Sequence, residues 1–350
     1  MNPSNNSTSF NLISASSLQH KLQCSFRRIF RQALVPVFFL ALLFVLTSCS
    51  ANGGDGSAET VQDAGAKLTA WSLPEGKGSR DNTPVCLVPE MSGAQVFANE
   101  LASIDYSNSS DGYVFVTYTG TNEKVKLQIT GPDEVKYTYS LKTDGSSDDF
   151  PLSAGDGKYL INVFENIKDT QYSLACSTEI DVTLKDVYLP FLYPNQYVKF
   201  NEDCKAVDKA AELAAPADSD LDVVSNIFNY IIRHVTYDQE EAETVQSGYL
   251  PDVDEVLETG KGICLDYSAL MVAMLRSQQI PTRMEVGYAG DAYHAWLSVY
   301  INGVGWVNGL IEFDGVDWSL MDPTFTASNG SEYLKSFIGE GDNYTLKYIY

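Results

Sequence analysis

Gly260-Lys-Gly-Ile-Cys264-Leu-Asp-Tyr-Ser-Ala-Leu-Met-Val-Ala-Met-Leu-Arg276 is the stretch on which the reading of this chain turns. Residues 265–276 hold no Gly or Pro and are apolar almost all round, the pattern of a buried helix. The glycines before it free the backbone to bring the first turn close to another group. Cys264 then stands at the helix N-terminus. There the helix dipole and unpaired backbone N–H groups favour a thiolate and stabilise an oxyanion. A cysteine is also a common core residue, so this segment alone leaves a nucleophile and a packing residue both open.

The segments that follow shift the balance. Ile280-Pro-Thr-Arg283 ends the helix, and Met284-Glu-Val-Gly-Tyr288 reads as a strand. His294-Ala-Trp296 opens another strand, continued by Leu297-Ser-Val-Tyr-Ile301. Trp318-Ser-Leu-Met-Asp322-Pro-Thr324 supplies a carboxylate at a strand end. A thiol nucleophile needs a base, and the base needs an orienting group. Cys264, His294 and Asp322 offer those three in order, and antiparallel neighbours would set the His and Asp side by side. The other histidines are His20, in the leader described below, and His234. His234 closes a helix in which Leu221, Val224, Ile227, Phe228, Ile231 and Ile232 recur at helical spacing, and a last-turn His suits the helix dipole.

At these residues the chain resembles the transglutaminase-like superfamily of papain-type thiol enzymes, from about Ala206 onward. The resemblance is carried by Tyr237-Asp238, Gly260-Lys-Gly-Ile-Cys-Leu-Asp-Tyr-Ser-Ala269, Leu275-Arg276 with Ile280-Pro-Thr-Arg283, Gly287-Tyr288, His294-Ala-Trp296 and Asp322-Pro-Thr324. It implies an α+β fold in which a Cys-bearing helix packs on an antiparallel sheet carrying His and Asp. It implies Cys264 as nucleophile, His294 as general base and acid, and Asp322 as the orienting carboxylate. Gly305-Trp-Val-Asn-Gly-Leu-Ile-Glu-Phe-Asp-Gly315 extends the usual strand pair between His and Asp, so Asn308 and Asp314 compete for the third role. Asp322 is preferred because Asp-Pro-Thr is the family pattern. Tyr237 and Gln246 are candidates for a second oxyanion donor. Trp296, Trp306 and Trp318 either line a cleft or pack in the core.

No cofactor or metal is expected. Asp218-x-Asp220-x-Asp222 looks superficially like a calcium loop, but Val223 stands where that loop needs Gly and Asn229 where it needs Glu. It reads as a helix start, capped by Asp218 or Ser219. There is no phosphate loop, dinucleotide fingerprint or Gly-x-Ser-x-Gly elbow.

Upstream the character changes. From about residue 85 to 190 short runs alternate with period two: Tyr113–Tyr118, Lys124–Ile129, Val135–Leu141, Lys158–Phe164 and Ile180–Leu184. Gly131-Pro-Asp133 and Gly155-Asp-Gly157 sit between them as turns. This predicts an all-β, sandwich-like domain over 85–190, read as a spacer with a binding module as the alternative. The transglutaminase-like domain is expected over 200–350. Residues 49–84 read as a flexible tether, Gly-, Ala-, Ser- and Asp-rich as far as Thr69.

Residues 1–48 read as a lipoprotein signal peptide. Lys21, Arg27, Arg28 and Arg31 precede a mostly apolar run, Ala33–Leu46, too short for a confident membrane span. The run ends in Leu46-Thr-Ser-Cys49, so Cys49 is the expected lipidation site and the protein is expected outside the cytoplasm, held to the membrane or cell surface by lipid alone. Cys86, Cys176 and Cys204 remain, and either Cys176 or Cys204 could pair with Cys86. Cys264 is expected to be free.

The 350 residues carry a formal charge of −23. That excludes a general nucleic-acid binder, which needs a clustered basic surface, and disfavours anionic lipid headgroups as partners. The expected activity is attack on an amide or peptide bond through an acyl-thioester, resolved by water or by an amine. Expected partners are peptides or proteins, such as cell-wall peptides and surface proteins. A binding or adhesion protein on the same scaffold is the alternative.

Overall fold

The computed structural model describes residues 71–289, 292–308 and 344–350. Its first half is built on alternation. Strands β1 (Val96–Ala98), β2 (Ala102–Asp105), β3 (Tyr113–Tyr118) and β6 (Ser147–Pro151) form one antiparallel sheet in the order β1-β2-β3-β6. Strands β4 (Val125–Thr130), β5 (Lys136–Ser140), β7 (Gly157–Lys168) and β8 (Gln171–Val182) form a second, ordered β5-β4-β7-β8. Val114, Val116 and Tyr118 on β3 are buried, as are Leu127 and Ile129 on β4 and Tyr159, Ile161 and Val163 on β7. Tyr139 and Phe150, one from each sheet, meet with ring centroids 4.9 Å apart. This is the expected sandwich. Three strands were not legible in sequence. β1 is exposed, β2 is short, and β6 (Ser-Asp-Asp-Phe-Pro) has no apolar alternation.

The second half is α+β. Helices α1 (Lys205–Ala214), α2 (Asp220–His234), α3 (Gln239–Thr244), α4 (Val253–Thr259) and α5 (Cys264–Ser277) precede a sheet of β11 (Thr282–Ala289), β12 (Ala292–Ile301), β13 (Gly305–Asn308) and β14 (Tyr344–Ile349). The order is β13-β12-β11-β14, with every neighbour antiparallel. Between α2 and α5, β9 (Thr236–Tyr237) pairs in parallel with β10 (Lys261–Gly262). Residues 266–277 of α5 are all buried, because α1, α2 and α4 cover it on one side and β11 and β12 on the other. A helix apolar on every face is stable only in such a central position.

The acidic run at the start of α2 resolves as a helix start. Ser219 is the cap, and its hydroxyl accepts from the Asp222 N–H while the Asp222 carboxylate accepts from the Ser219 N–H at 2.9 Å. Asp218 instead accepts from the Ser79 N–H and hydroxyl, and Asp220 pairs with Arg80 at 2.7 Å. These bonds dock residues 78–85, part of the expected tether. Arg80 Nη2 also donates to the Gln278 carbonyl at 2.6 Å, and the Val85 N–H donates to Ser277. This piece is therefore held on the helices rather than free. The expected signal peptide, Cys49 and the glycine-rich part of the expected tether lie outside the described residues, among which no helix is long and apolar enough to cross a membrane.

The two halves share one core. Phe191, in the turn after the sandwich, meets Trp306 of β13 edge-on at 5.3 Å, and the Arg283 guanidinium lies 3.8 Å from the Trp306 ring centroid. Tyr197 and Tyr350 meet at a tilt with ring centroids 4.4 Å apart, and the Ser153 hydroxyl donates to the Ile349 carbonyl.

Candidate active site

Cys264 is the first residue of α5, following Ile263 in extended conformation. The local sequence builds this turn by close approach. Gly260 ends α4 in the left-handed region (φ +62°), where a Cβ would stand 2.7 Å from the His234 carbonyl oxygen. That contact lets residues 261–262 pair with 236–237 directly before the helix. Asp266 then fastens the helix start. Its buried carboxylate accepts from the Ile263 N–H at 2.8 Å and from the Tyr249 hydroxyl at 2.7 Å. Burial pushes the Asp266 carboxyl up to about 6, against the pull of both bonds.

The thiol faces β12. The backbone N–H of Ala295, in the peptide unit that joins Ala295 to His294, is close enough to the thiol to pull its pKa down. The helix that begins at Cys264 packs against β12, the strand that carries the imidazole. Tyr237, from β9, lies within electrostatic reach of the same thiol. Gln246, the other proposed oxyanion donor, donates its side-chain N–H to the Thr244 carbonyl at 2.6 Å and is exposed.

The electrostatics differ from the sequence expectation. A helix N-terminus favours a thiolate, and the N–H groups of Ala295, Leu265 and Cys264 itself do pull that way. Burial outweighs them and, with the nearby Asp266 charge, pushes the Cys264 thiol up to about 11. Burial also pushes His294 down to about 4. At neutral pH the site holds a neutral thiol and a neutral imidazole. His294 is 6% exposed, and its buried Nε2 has no hydrogen-bond partner among the described residues. An imidazole that accepts a proton at one ring nitrogen is oriented by a hydrogen-bond acceptor at the other.

Asp322, Asp314 and Trp318 lie outside the described residues. Asn308 ends β13, opposite Ser298. Trp296 and Trp306 are packing residues: Trp296 is buried beside His294, and Trp306 stacks on Arg283. His234 ends α2, stacked on Tyr230 at 4.0 Å with Nδ1 2.7 Å from the Tyr230 carbonyl oxygen. Cys86, Cys176, Cys204 and Cys264 carry free thiols. Cys204 is close enough to raise the Cys86 pKa, secondary to burial; Cys176 has no such effect.

Gly287 is opposite His294 in the β11–β12 register. A Cβ there would stand 2.1 Å from the Thr345 carbonyl oxygen and 3.0 Å from Trp296 Cη2. Gly287→Ala is expected to destabilise the chain by about 2–3 kcal/mol, as overpacking against backbone does. Urea denaturation checks this, and an unchanged midpoint would show that β14 can shift at no cost.

Sequence reading gave no role to Glu285, Tyr249 or Asp266. A charged residue inside a strand pattern ordinarily marks a solvent face, so Glu285 carried no signal. Its partners are known only from the cross-strand register.

Residues 207–309 match the transglutaminase-like superfamily. Among curated proteins, the chain is 24% identical to a UPF0252 protein of Methanocaldococcus jannaschii over 203 residues, covering 53% of this chain and 58% of that protein. It is 29% identical over 117 residues to the uncharacterized protein YebA of Bacillus subtilis, covering 28% of this chain and 16% of YebA. The matches thus span little more than half of the first relative and a sixth of the second. A solved structure from Cytophaga hutchinsonii, described as a candidate cysteine protease, aligns at 18% identity with a TM-score of 0.33, over 61% of this chain and 77% of that one. Cys264 and His294 fall inside the matched stretch and Asp322 beyond its end, so this chain contains a transglutaminase-like domain that carries both the thiol and the imidazole.

Proposed function

We propose that this protein is a thiol enzyme acting on amide or peptide bonds, with Cys264 as nucleophile, His294 as general base and acid, and Asp322 as the carboxylate that orients the imidazole. One observation carries the reading: the helix that begins at Cys264 packs on the strand that carries His294, whose buried Nε2 has no described partner.

The neutral pair sets the order of events. As Cys264 Sγ bonds to the substrate carbonyl carbon, its proton passes to His294, so no buried charge exists before substrate arrives. Backbone N–H groups of the first turn of α5, with Tyr237 nearby, face the developing oxyanion. His294 then gives the proton to the leaving nitrogen, the C–N bond breaks, and an acyl-thioester remains. Water resolves it as hydrolysis, and an amine resolves it as transfer. Asp322 on Nε2 would offset the cost of the transient imidazolium.

The site is proposed to work outside the cytoplasm on peptides or proteins, with the chain anchored through lipid on Cys49. A binding or adhesion role on the same scaffold is the second reading. It draws on the burial that keeps both groups uncharged.

The test incubates the soluble chain with a glutamine-rich protein and a tagged primary amine, beside Cys264→Ala, and reads products by mass spectrometry. Attachment of the tag, deamidation or cleavage that is lost in a folded Cys264→Ala variant is the expected result. Product that persists in that variant, or is absent from both, overturns the enzymatic reading.

A further inference from the structure

Glu285 is a carboxylate buried inside the sheet that carries His294. In the β11–β12 register Glu285 faces Trp296, and Gly287 faces His294. Alternation sets His294, Trp296 and Ser298 on one face of β12. The Trp296 indole N–H donates to Glu285 Oε2 at 2.6 Å, and the Ser298 hydroxyl donates to Oε1 at 2.6 Å. Because Gly287 has no side chain, the indole passes over it, with Cη2 3.0 Å from where a Cβ would stand. The indole and the His294 imidazole are then nearly parallel, 21° between planes and 6.1 Å between centroids.

An apolar residue at position 285 would fill this space without burying a charge, and buried ionic groups are commonly less stable than such replacements. What the carboxylate adds is direction: the Ser298 hydroxyl holds Oε1, which fixes Oε2 as the acceptor that the indole N–H meets.

We propose that Glu285 is a positioning residue for the thiol chemistry of this protein: it fixes the Trp296 indole, and the indole fixes the plane of the His294 imidazole toward Cys264. The proposal rests on the reading of Cys264 and His294 as nucleophile and base. Glu285 itself touches no substrate and takes no proton. Gly287 leaves that space open to the indole, and the Thr345 carbonyl oxygen, 2.1 Å from where a Cβ would stand, requires glycine there in its own right.

The test needs no substrate. Carbamidomethylation of Cys264 by iodoacetamide in the soluble chain is timed at pH 7 by peptide mass spectrometry. The variants are His294→Ala, Glu285→Leu, Glu285→Gln, Trp296→Phe and the Glu285→Leu/Trp296→Phe pair. His294→Ala comes first and is expected to slow the reaction; an unchanged rate would remove the base and overturn both the site reading and the proposal. With that dependence in place, Glu285→Leu and Trp296→Phe are each expected to slow alkylation by about tenfold or more, the usual scale for groups that orient a site residue. Glu285→Gln still offers the indole an acceptor and should recover most of the rate, while its charge is gone. The pair should be no slower than its slower member, because both changes break one linkage. Parent rates in Glu285→Leu, or effects that multiply in the pair, would overturn the positioning role while leaving His294 as base. If Glu285→Leu does not fold, Trp296→Phe and Glu285→Gln decide. The Trp296 indole ¹H–¹⁵N resonance, read by NMR, should move between the parent and Glu285→Gln, and parent rates in Trp296→Phe would overturn the proposal.

Discussion

Arg276→Ala is expected to unfold the chain, or to lower its stability by about 5 kcal/mol or more. Arg276 ends the buried face of α5 and is 1% exposed. Its Nε and Nη2 donate to the Thr282 carbonyl at 3.0 and 2.8 Å, Nη1 to the Tyr193 carbonyl at 2.6 Å, and Nη2 also to the Tyr350 carbonyl at 2.9 Å. One guanidinium thus ties the Cys-bearing helix to the first residue of β11, to the segment leaving the sandwich and to the residue after β14. Burial pushes it down to about 9, which still leaves it charged at neutral pH. Alanine would take these bonds from the Thr282 and Tyr193 carbonyls, leave the Tyr350 carbonyl with the Met284 N–H alone, and open a cavity. An unsatisfied buried acceptor costs roughly 1–3 kcal/mol and a large-to-small core change roughly 2–5 more, against a total of about 5–15 for a typical domain. Lysine should restore little, since one ammonium cannot reproduce a planar fork. Urea denaturation followed by circular dichroism measures this, and a loss under about 1 kcal/mol would show that water replaces the guanidinium.

His294→Ala should cost the Cys264-dependent reaction about a thousandfold or more, the usual scale for losing one member of a nucleophile–base pair. A thiol held near pKa 11 is ionised in only about one molecule in ten thousand at pH 7, so reactivity must come from proton transfer to the imidazole. The pH dependence has a definite sign. His294 stays unprotonated above about 4 and Cys264 stays protonated below about 11, so the reactive neutral pair spans the interval between. The profile should be nearly flat from mildly acid to mildly alkaline pH, with the acid limb near 4. A limb well above 4 would mean that a partner such as the proposed Asp322 carboxylate on Nε2 offsets the burial of the imidazole. Stability follows the same group. The unfolded chain protonates this His near 6.5 and the folded chain only near 4, so its contribution is full above 6.5 and lost as pH falls to 4. The loss is about 3 kcal/mol over that window. His294→Phe should flatten that part of the acid limb.

Much of the fold was legible because local pattern and tertiary role agreed. The unbroken apolar run after Cys264 can be buried only as a central helix, and residues 264–277 are that helix. Period two located β3 at its observed bounds and β4, β5 and β7 to within a few residues. β6 escaped because Asp148 and Asp149 sit where alternation would be looked for. At the proposed site, Cys264 and His294 are candidates that residue type and order suggest. Glu285 and Arg276 could not be given roles that way. Glu285 works through the register of β11 on β12, and the Arg276 acceptors at Tyr193 and Tyr350 lie 83 and 74 residues away.

By itself the sequence determined which residues can form the thiol helix, where its N-terminus falls, and that an imidazole follows two strands later. Those properties reside in side-chain type and local spacing, so they survive without knowledge of what packs nearby. Only the tertiary structure decided that thiol and imidazole rest uncharged, that Glu285 steers the wall beside His294, and that Arg276 joins both halves of the chain. Each of these depends on which groups from distant segments replace water around a side chain. Desolvation and long-range hydrogen bonding leave no mark in the spacing of neighbouring residues.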